Sequence, residues 1–148
     1  MADVASLPEG SLAAKVDHLF RTVHSRAGRE YTFEEVAEAI RLRGGPTISA
    51  TYVWQLRRGL RDNPTKRHLE ALAGFFGVPP AYFFDDAVTE QIDSELALLT
   101  ALRDSSVRRM ALRASGLSPK SLGALTAMVE RARELEGLPD GPDEEAGS

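Results

Sequence analysis

Apolar residues recur every three to four positions along most of this chain, and no segment alternates convincingly as a strand would. After Ser11, a residue able to cap a helix, Leu12, Val16, Leu19, Phe20 and Val23 make one helical stripe. Ser25 to Glu30 is a polar loop around Gly28. Thr32, with Glu35 three residues on, has the spacing of a capping box. The helix it opens has Phe33, Val36, Ala37 and Ile40 on its apolar side and is stopped by Gly44-Gly45-Pro46. Ser49 predicts a third helix through Arg58, with Val53 and Leu56 inward and Gly59 as its C-terminal signal. Leu60 to Pro64 is a turn, after which Thr65 caps a fourth helix with Leu69, Leu72, Ala73 and Phe76 facing in. Pro79-Pro80 then opens a short fifth helix, Ala81 to Phe84, whose aromatics close the core.

Asp85-Asp86 marks a boundary. Beyond it Val88, Ile92, Leu96, Leu99 and Leu102 stripe a longer helix, and Val107, Met110, Ala111 and Ala114 continue the pattern to Gly116. Ser118-Pro119 is a cap followed by proline at the first helical position. The last helix, to about Glu136, carries Leu122, Leu125, Met128, Val129 and Leu135. The expected organisation is therefore all-α. It comprises a mobile 1–10, a five-helix domain over 11–84, a helical domain over 85–136 and a disordered acidic tail over 137–148.

Composition alters this picture mainly through charge. The net charge of −4 over 148 residues suits a nucleic-acid partner poorly until it is divided along the chain. Residues 11–84 hold eleven Lys/Arg against seven Asp/Glu, whereas residues 85–148 hold seven against thirteen. A basic N-terminal domain is joined to an acidic C-terminal part, and binding to DNA depends on the local field. Absence of cysteine excludes disulfides and thiolate metal sites. With no apolar run of about 18 residues and no signal-like N-terminus, the expected location is the cytoplasm, with no membrane partner.

The segment 49–67 carries the chemical signal. A helix that enters the major groove is short, shows its N-terminal part to base edges and is followed by a phosphate-gripping turn. Ser49, Ala50, Thr51, Trp54 and Gln55 lie opposite Val53 and Leu56. Ser and Thr can donate or accept at base edges, Gln suits a bidentate contact to adenine, and Ala or the Thr methyl suits a thymine methyl. Trp54 either packs over the second helix or lies against thymine methyls or sugars. Arg57, Arg58, Arg61, Lys66 and Arg67 fall within eleven residues and suit phosphates, and backbone amides at the start of the fourth helix extend that anion site.

Tyr52-Val-Trp-Gln-Leu-Arg-Arg-Gly59, Asn63-Pro64 and Leu69-Glu-Ala-Leu-Ala-Gly-Phe-Phe-Gly-Val78 resemble the xenobiotic-response-element (XRE) family, the helix-turn-helix class of phage lambda Cro and lambda repressor. The resemblance covers roughly 11–84. A longer match resembles EspR-type actinobacterial regulators. It includes Ser49-Ala50, Gln55-Leu56-Arg57, Arg61, Asn63-Pro64, Phe75-Phe76, Ala81-Tyr82-Phe83 and Asp85-Asp86. It continues through Asp93, Glu95-Leu96, Arg103-Asp104, Val107-Arg108-Arg109 and Arg113-Ala114.

That likeness implies a global or nucleoid-associated regulator, dimeric through its C-terminal helices and bound to double-stranded DNA. Two departures stand out. Arg41 to Ile48 lengthens the turn before the third helix, and Phe33 stands where the wider family often has a polar phosphate-binding residue, a contact that Thr32 can take over. The phosphate-binding set is then Thr32, Arg58, Arg61, Asn63, Lys66 and Arg67.

The C-terminal leucine stripes serve either as internal core or as an oligomer surface. About 50 residues in two or three helices do not easily bury two such stripes alone, which favours dimerisation through Ile92, Leu96, Leu99, Leu122, Leu125, Met128 and Val129. In that half, Arg108, Arg109 and Arg113 can pair with Asp93, Glu95 and Asp104. His18, His24 and His68 are scattered without carboxylates at ligand spacing, so no metal is expected. Gly44-Gly45-Pro46 lacks the Lys-Ser/Thr of a phosphate loop, and no nucleophile–base set is suggested, so neither catalysis, a cofactor nor a small-molecule ligand is expected. Two other readings remain at this level: a protein-binding module such as an antitoxin, and an architectural DNA binder without sequence preference.

Overall fold

Each of the first four helices begins on the hydroxyl expected to cap it. The computed structural model describes residues 7–139; the expectations for 1–6 and 140–148 lie outside them. The Ser11 side chain accepts from the Ala14 amide to open α1 (Leu12–Thr22), and Thr32 accepts from Glu35 to open α2 (Phe33–Leu42). Ser49 accepts from Tyr52 to open α3 (Ala50–Arg58), and Thr65 accepts from His68 to open α4 (Lys66–Phe76). Gly59 and Gly77 end α3 and α4 in the left-handed region, at φ 78° and 76°, where a Cβ would be strained. Among the described residues the chain is all-helical, with one isolated antiparallel bridge, His24–Glu30, inside the loop after α1. No described helix is long and apolar enough to cross a membrane.

The capping box at α2 is complete: the Thr32 hydroxyl accepts from the Glu35 amide while the Glu35 carboxylate accepts from the Thr32 amide at 2.9 Å. The same carboxylate accepts from Arg29 at 2.9 Å, and that bond, followed by the one from the Thr32 amide, holds its pKa down at about 2. Because the folded value lies below the ordinary 4.5, the box contributes fully above that pH and is lost as the pH falls toward 2. Thr32→Ala is expected to cost about 1 kcal/mol, seen as an earlier urea midpoint at unchanged m-value. An unmoved midpoint would show that the cap does not limit stability.

The stripes predicted from periodicity meet in one core. Val16, Leu19, Phe20, Val36, Ile40, Val53, Leu56, Leu72, Ala73 and Phe76 are buried together, and the Phe20 ring lies 5.2 Å from Phe33 and 5.1 Å from Phe76. The expected fifth helix is instead a 3₁₀ turn, Pro80–Phe83, closed by bonds from the Tyr82 amide to Pro79 and from the Phe84 amide to Ala81. Tyr82 and Phe83 enter the core as expected, but Phe84 stays 70% exposed.

The first compact unit continues past Asp85 to Leu96, into α5 (Asp86–Ala101). Polar contacts explain why. Lys15, buried on α1, donates to Asp86 at 3.0 Å, and the buried Thr89 hydroxyl donates to the Tyr82 carbonyl. The Tyr82 hydroxyl donates to Asp93 at 2.6 Å, and His18 Nε2 lies 3.3 Å from the same carboxylate. Burial, reinforced by that hydrogen bond, pushes the Tyr82 phenol far above its ordinary pKa. Ile92 and Leu96, expected to serve dimerisation, lie half-buried against this core. Asp93 is thus engaged within the first unit by Tyr82 and His18.

The second unit starts at Ala97. Within it α6 (Ser105–Ala114) is capped by Asp104, which accepts from the amides of Ser106 and Val107 and so has a role other than the expected ion pair. Next comes α7 (Pro119–Leu135), which begins on Ser118 with proline at its first position. Neither α6 nor α7 buries a single residue.

Candidate nucleic-acid interface

Inward residues at Val53 and Leu56 fix which side of α3 meets the core, and this leaves Thr51 and Trp54 outward. Ser49 is exposed at the cap, Ala50 is half-buried on the first turn, and Gln55 is half-buried nearer the C-terminus. Trp54 is 37% exposed, with the Arg58 guanidinium 6.0 Å from its ring. The Ser49 oxygen already accepts the Tyr52 amide, which leaves its hydroxyl hydrogen for an outside acceptor. A surface pocket of about 210 Å³ lies beside this face, lined by Phe33 and Glu34 of α2 and by Ala50, Thr51 and Trp54 of α3. Of these five, Phe33 and Glu34 belong to no site expected from sequence. Their sequence signal is Phe33, an apolar residue at the first position of α2 where the wider family often has a polar one.

The basic cluster divides in two. Arg57 does not face outward with the rest. Its Nε donates to Asp17 at 2.9 Å and its Nη2 to Glu30 at 3.0 Å, while the guanidinium carbon lies 4.8 Å from the Phe20 ring centre. At 16% exposure it is a clamp between α3, α1 and the loop before α2, and its expected phosphate role is withdrawn. Arg61, Asn63, Lys66 and Arg67 are exposed on the turn and on the start of α4. The first turn of α4 contains no acid, so its amide dipoles add to the positive field there. Lys66 reaches Glu70 only at 3.9 Å, an exposed pairing that leaves the ammonium available to a stronger anion.

Thr32 stands exposed at the start of α2, with its oxygen engaged in the capping box. The longer turn between α2 and α3 is braced by Arg43, whose Nη1 donates to the Gly74 carbonyl at 2.9 Å, and by Ile48, which is buried in the core. These anchors tie the start of α3 to α4. The small and aromatic side chains of α3 and the cationic turn thus belong to one compact unit.

No family model matches the chain. It is 39% identical over 128 residues to the nucleoid-associated protein EspR of Mycobacterium tuberculosis, in the strains CDC 1551 / Oshkosh and ATCC 25618 / H37Rv. The match spans 86% of this chain and 96% of each relative.

Proposed function

This chain belongs to the EspR family, and from that premise we infer that it is a nucleoid-associated, DNA-binding transcriptional regulator. In this reading α2 and α3 form a helix-turn-helix of the XRE type, α3 enters the major groove, and the protein acts at the nucleoid as a homodimer. The observation that carries it is the sorting of side chains around α3. Ser49, Ala50, Thr51, Trp54 and Gln55 lie on or beside its outward face, while Arg61, Asn63, Lys66 and Arg67 stand exposed on the turn and helix start that follow. Base edges are read by the first set and phosphates are held by the second, with Thr32 and Arg58 completing it.

Dimerisation falls to the second unit. Leu99, Leu122, Leu125, Met128 and Val129 are exposed there, whereas Ile92 and Leu96 lie half-buried against the first unit. A two-fold pair would present two reading heads whose spacing sets the separation of half-sites.

Gel-shift titration against bacterial genomic fragments tests this reading. Binding at micromolar protein is expected, with affinity falling steeply as salt rises because phosphate contacts release counterions. Gln55→Ala should erase preference for selected fragments over random DNA by roughly tenfold or more, the loss of one bidentate base contact. Arg61→Ala should weaken all fragments alike and lower the salt slope by about one. Absence of any retardation at low salt would sink the DNA-binding reading. A uniform loss from both variants would show that base and phosphate contacts are wrongly divided.

A further inference from the structure

The pocket between the starts of α2 and α3 has walls of an unusual kind for a surface that meets a polyanion. The Phe33 ring, the Ala50 methyl, the Thr51 side chain and the Trp54 indole line it, and Glu34 is the one ionisable side chain among its lining residues. One of these walls is held in place before any ligand arrives. Phe33 is held by the Phe20 ring at 5.2 Å and by the Arg57 guanidinium 5.8 Å from its centre. Trp54 has the Arg58 guanidinium 6.0 Å from its ring, yet remains 37% exposed toward solvent. Two aromatic rings with open space beside them gain free energy from whatever carbon they cover.

Charge decides between the two parts of a DNA duplex that can reach this place. The other acids of α2 are neutralised, Glu35 by Arg29 and Glu38 by Arg41. No ion pair joins Glu34 to a cation among the described residues. Its carboxylate repels a phosphate from the pocket itself, and a phosphate near Trp54 would go to Arg58 instead. A base edge carries no such charge. In the major groove only thymine offers a methyl group, at C5, and the carbon of Phe33, Ala50 and Trp54 gives that methyl a surface to cover.

Resting on the reading of α3 as the helix that enters the groove, we propose that this pocket receives the 5-methyl group of a thymine. Phe33 and Trp54 are its specificity-determining walls. Phe33 thereby gains a role from α2, at a position where a phosphate contact would otherwise be expected. Burial of one methyl group corresponds to about a fourfold preference for a thymine over its demethylated counterpart.

Deoxyuridine supplies that counterpart, since it pairs like thymine and lacks only the methyl. One set of bacterial genomic fragments is amplified with dTTP and the same set with dUTP, and the two compete for the full-length protein in a gel shift. The wild type should bind the thymine set about fourfold more tightly or better. Trp54→Ala should bring the ratio close to one while binding through phosphates persists. Thr51→Asn, at an exposed helical position, should do the same by placing an amide in the pocket, and it guards against poor folding of the tryptophan variant. Arg61→Ala should weaken both sets and keep the ratio. Firm wild-type binding with a ratio of one would overturn the proposal, as would an unchanged ratio in folded Trp54→Ala. Failure to bind either set would instead refute the DNA-binding reading itself.

Discussion

Arg57→Ala is expected to destabilise the N-terminal unit by roughly 3 kcal/mol, the scale for removing one partner of a buried ion pair. Asp17 is the reason. Its carboxylate is 3% exposed and receives Arg57 on one oxygen and Arg21 on the other, each at 2.9 Å. Without Arg57 one buried oxygen loses its partner, and Arg21, more than half exposed, cannot make up the difference. The Phe20 ring also loses the cation 4.8 Å away, worth about 1 kcal/mol more.

Small domains hold only about 5–15 kcal/mol in all, so the variant should melt well below the wild type and lose DNA binding with its fold. Urea denaturation followed by far-ultraviolet circular dichroism measures the first effect. Asp17→Ala combined with Arg57→Ala should cost less than the two single losses added together, because the stranded carboxylate is gone. Arg61→Ala should leave the melt unchanged. If Arg57→Ala kept its stability and lost only affinity for DNA, the arginine would be a phosphate ligand after all.

That result turns on what a sequence can and cannot display. Caps were legible because a capping hydroxyl and its amide partner lie three residues apart, and Ser11, Thr32, Ser49 and Thr65 all perform as expected. The inward faces of α1 to α4 were legible for the same reason, since helical period is local. Arg57 was not, because its partners Asp17 and Glu30 lie 40 and 27 positions away. In sequence it is one more cation in a basic run.

Ile92 and Leu96 show a different difficulty. Their stripe is real, but a stripe does not say which surface covers it. The anchors that bring α5 onto the first unit, Lys15 to Asp86 and Tyr82 to Asp93, again join distant or unexpected partners. The pocket beside Trp54 combines both difficulties: three of its lining residues are neighbours in α3, and two come from α2 across the long turn.

Polar replacement of Leu122 and Leu125 together should convert the protein to a monomer and weaken its binding to DNA by 10²- to 10⁴-fold, the usual loss when two linked heads act separately. The argument begins with what α6 and α7 lack. They run for 10 and 17 residues and bury none of them. Isolated helices shorter than about 12–15 residues are marginal in water, so packing against something must sustain the shorter one at least. Leu122, Leu125, Met128 and Val129 recur on one face of α7, and Met128 is 67% exposed.

In the proposed dimer a second copy would supply a matching apolar face without requiring any other partner, and closed two-fold symmetry would stop the assembly at two. None of these residues belongs to the core of the first unit, so its melting should be unaffected by the double replacement. Sedimentation equilibrium reads the change of mass, and a gel shift on the same samples reads the affinity. A monomer that bound DNA as tightly as the wild type would show that the heads act independently. A double variant still dimeric at micromolar concentration would move the interface off this face of α7.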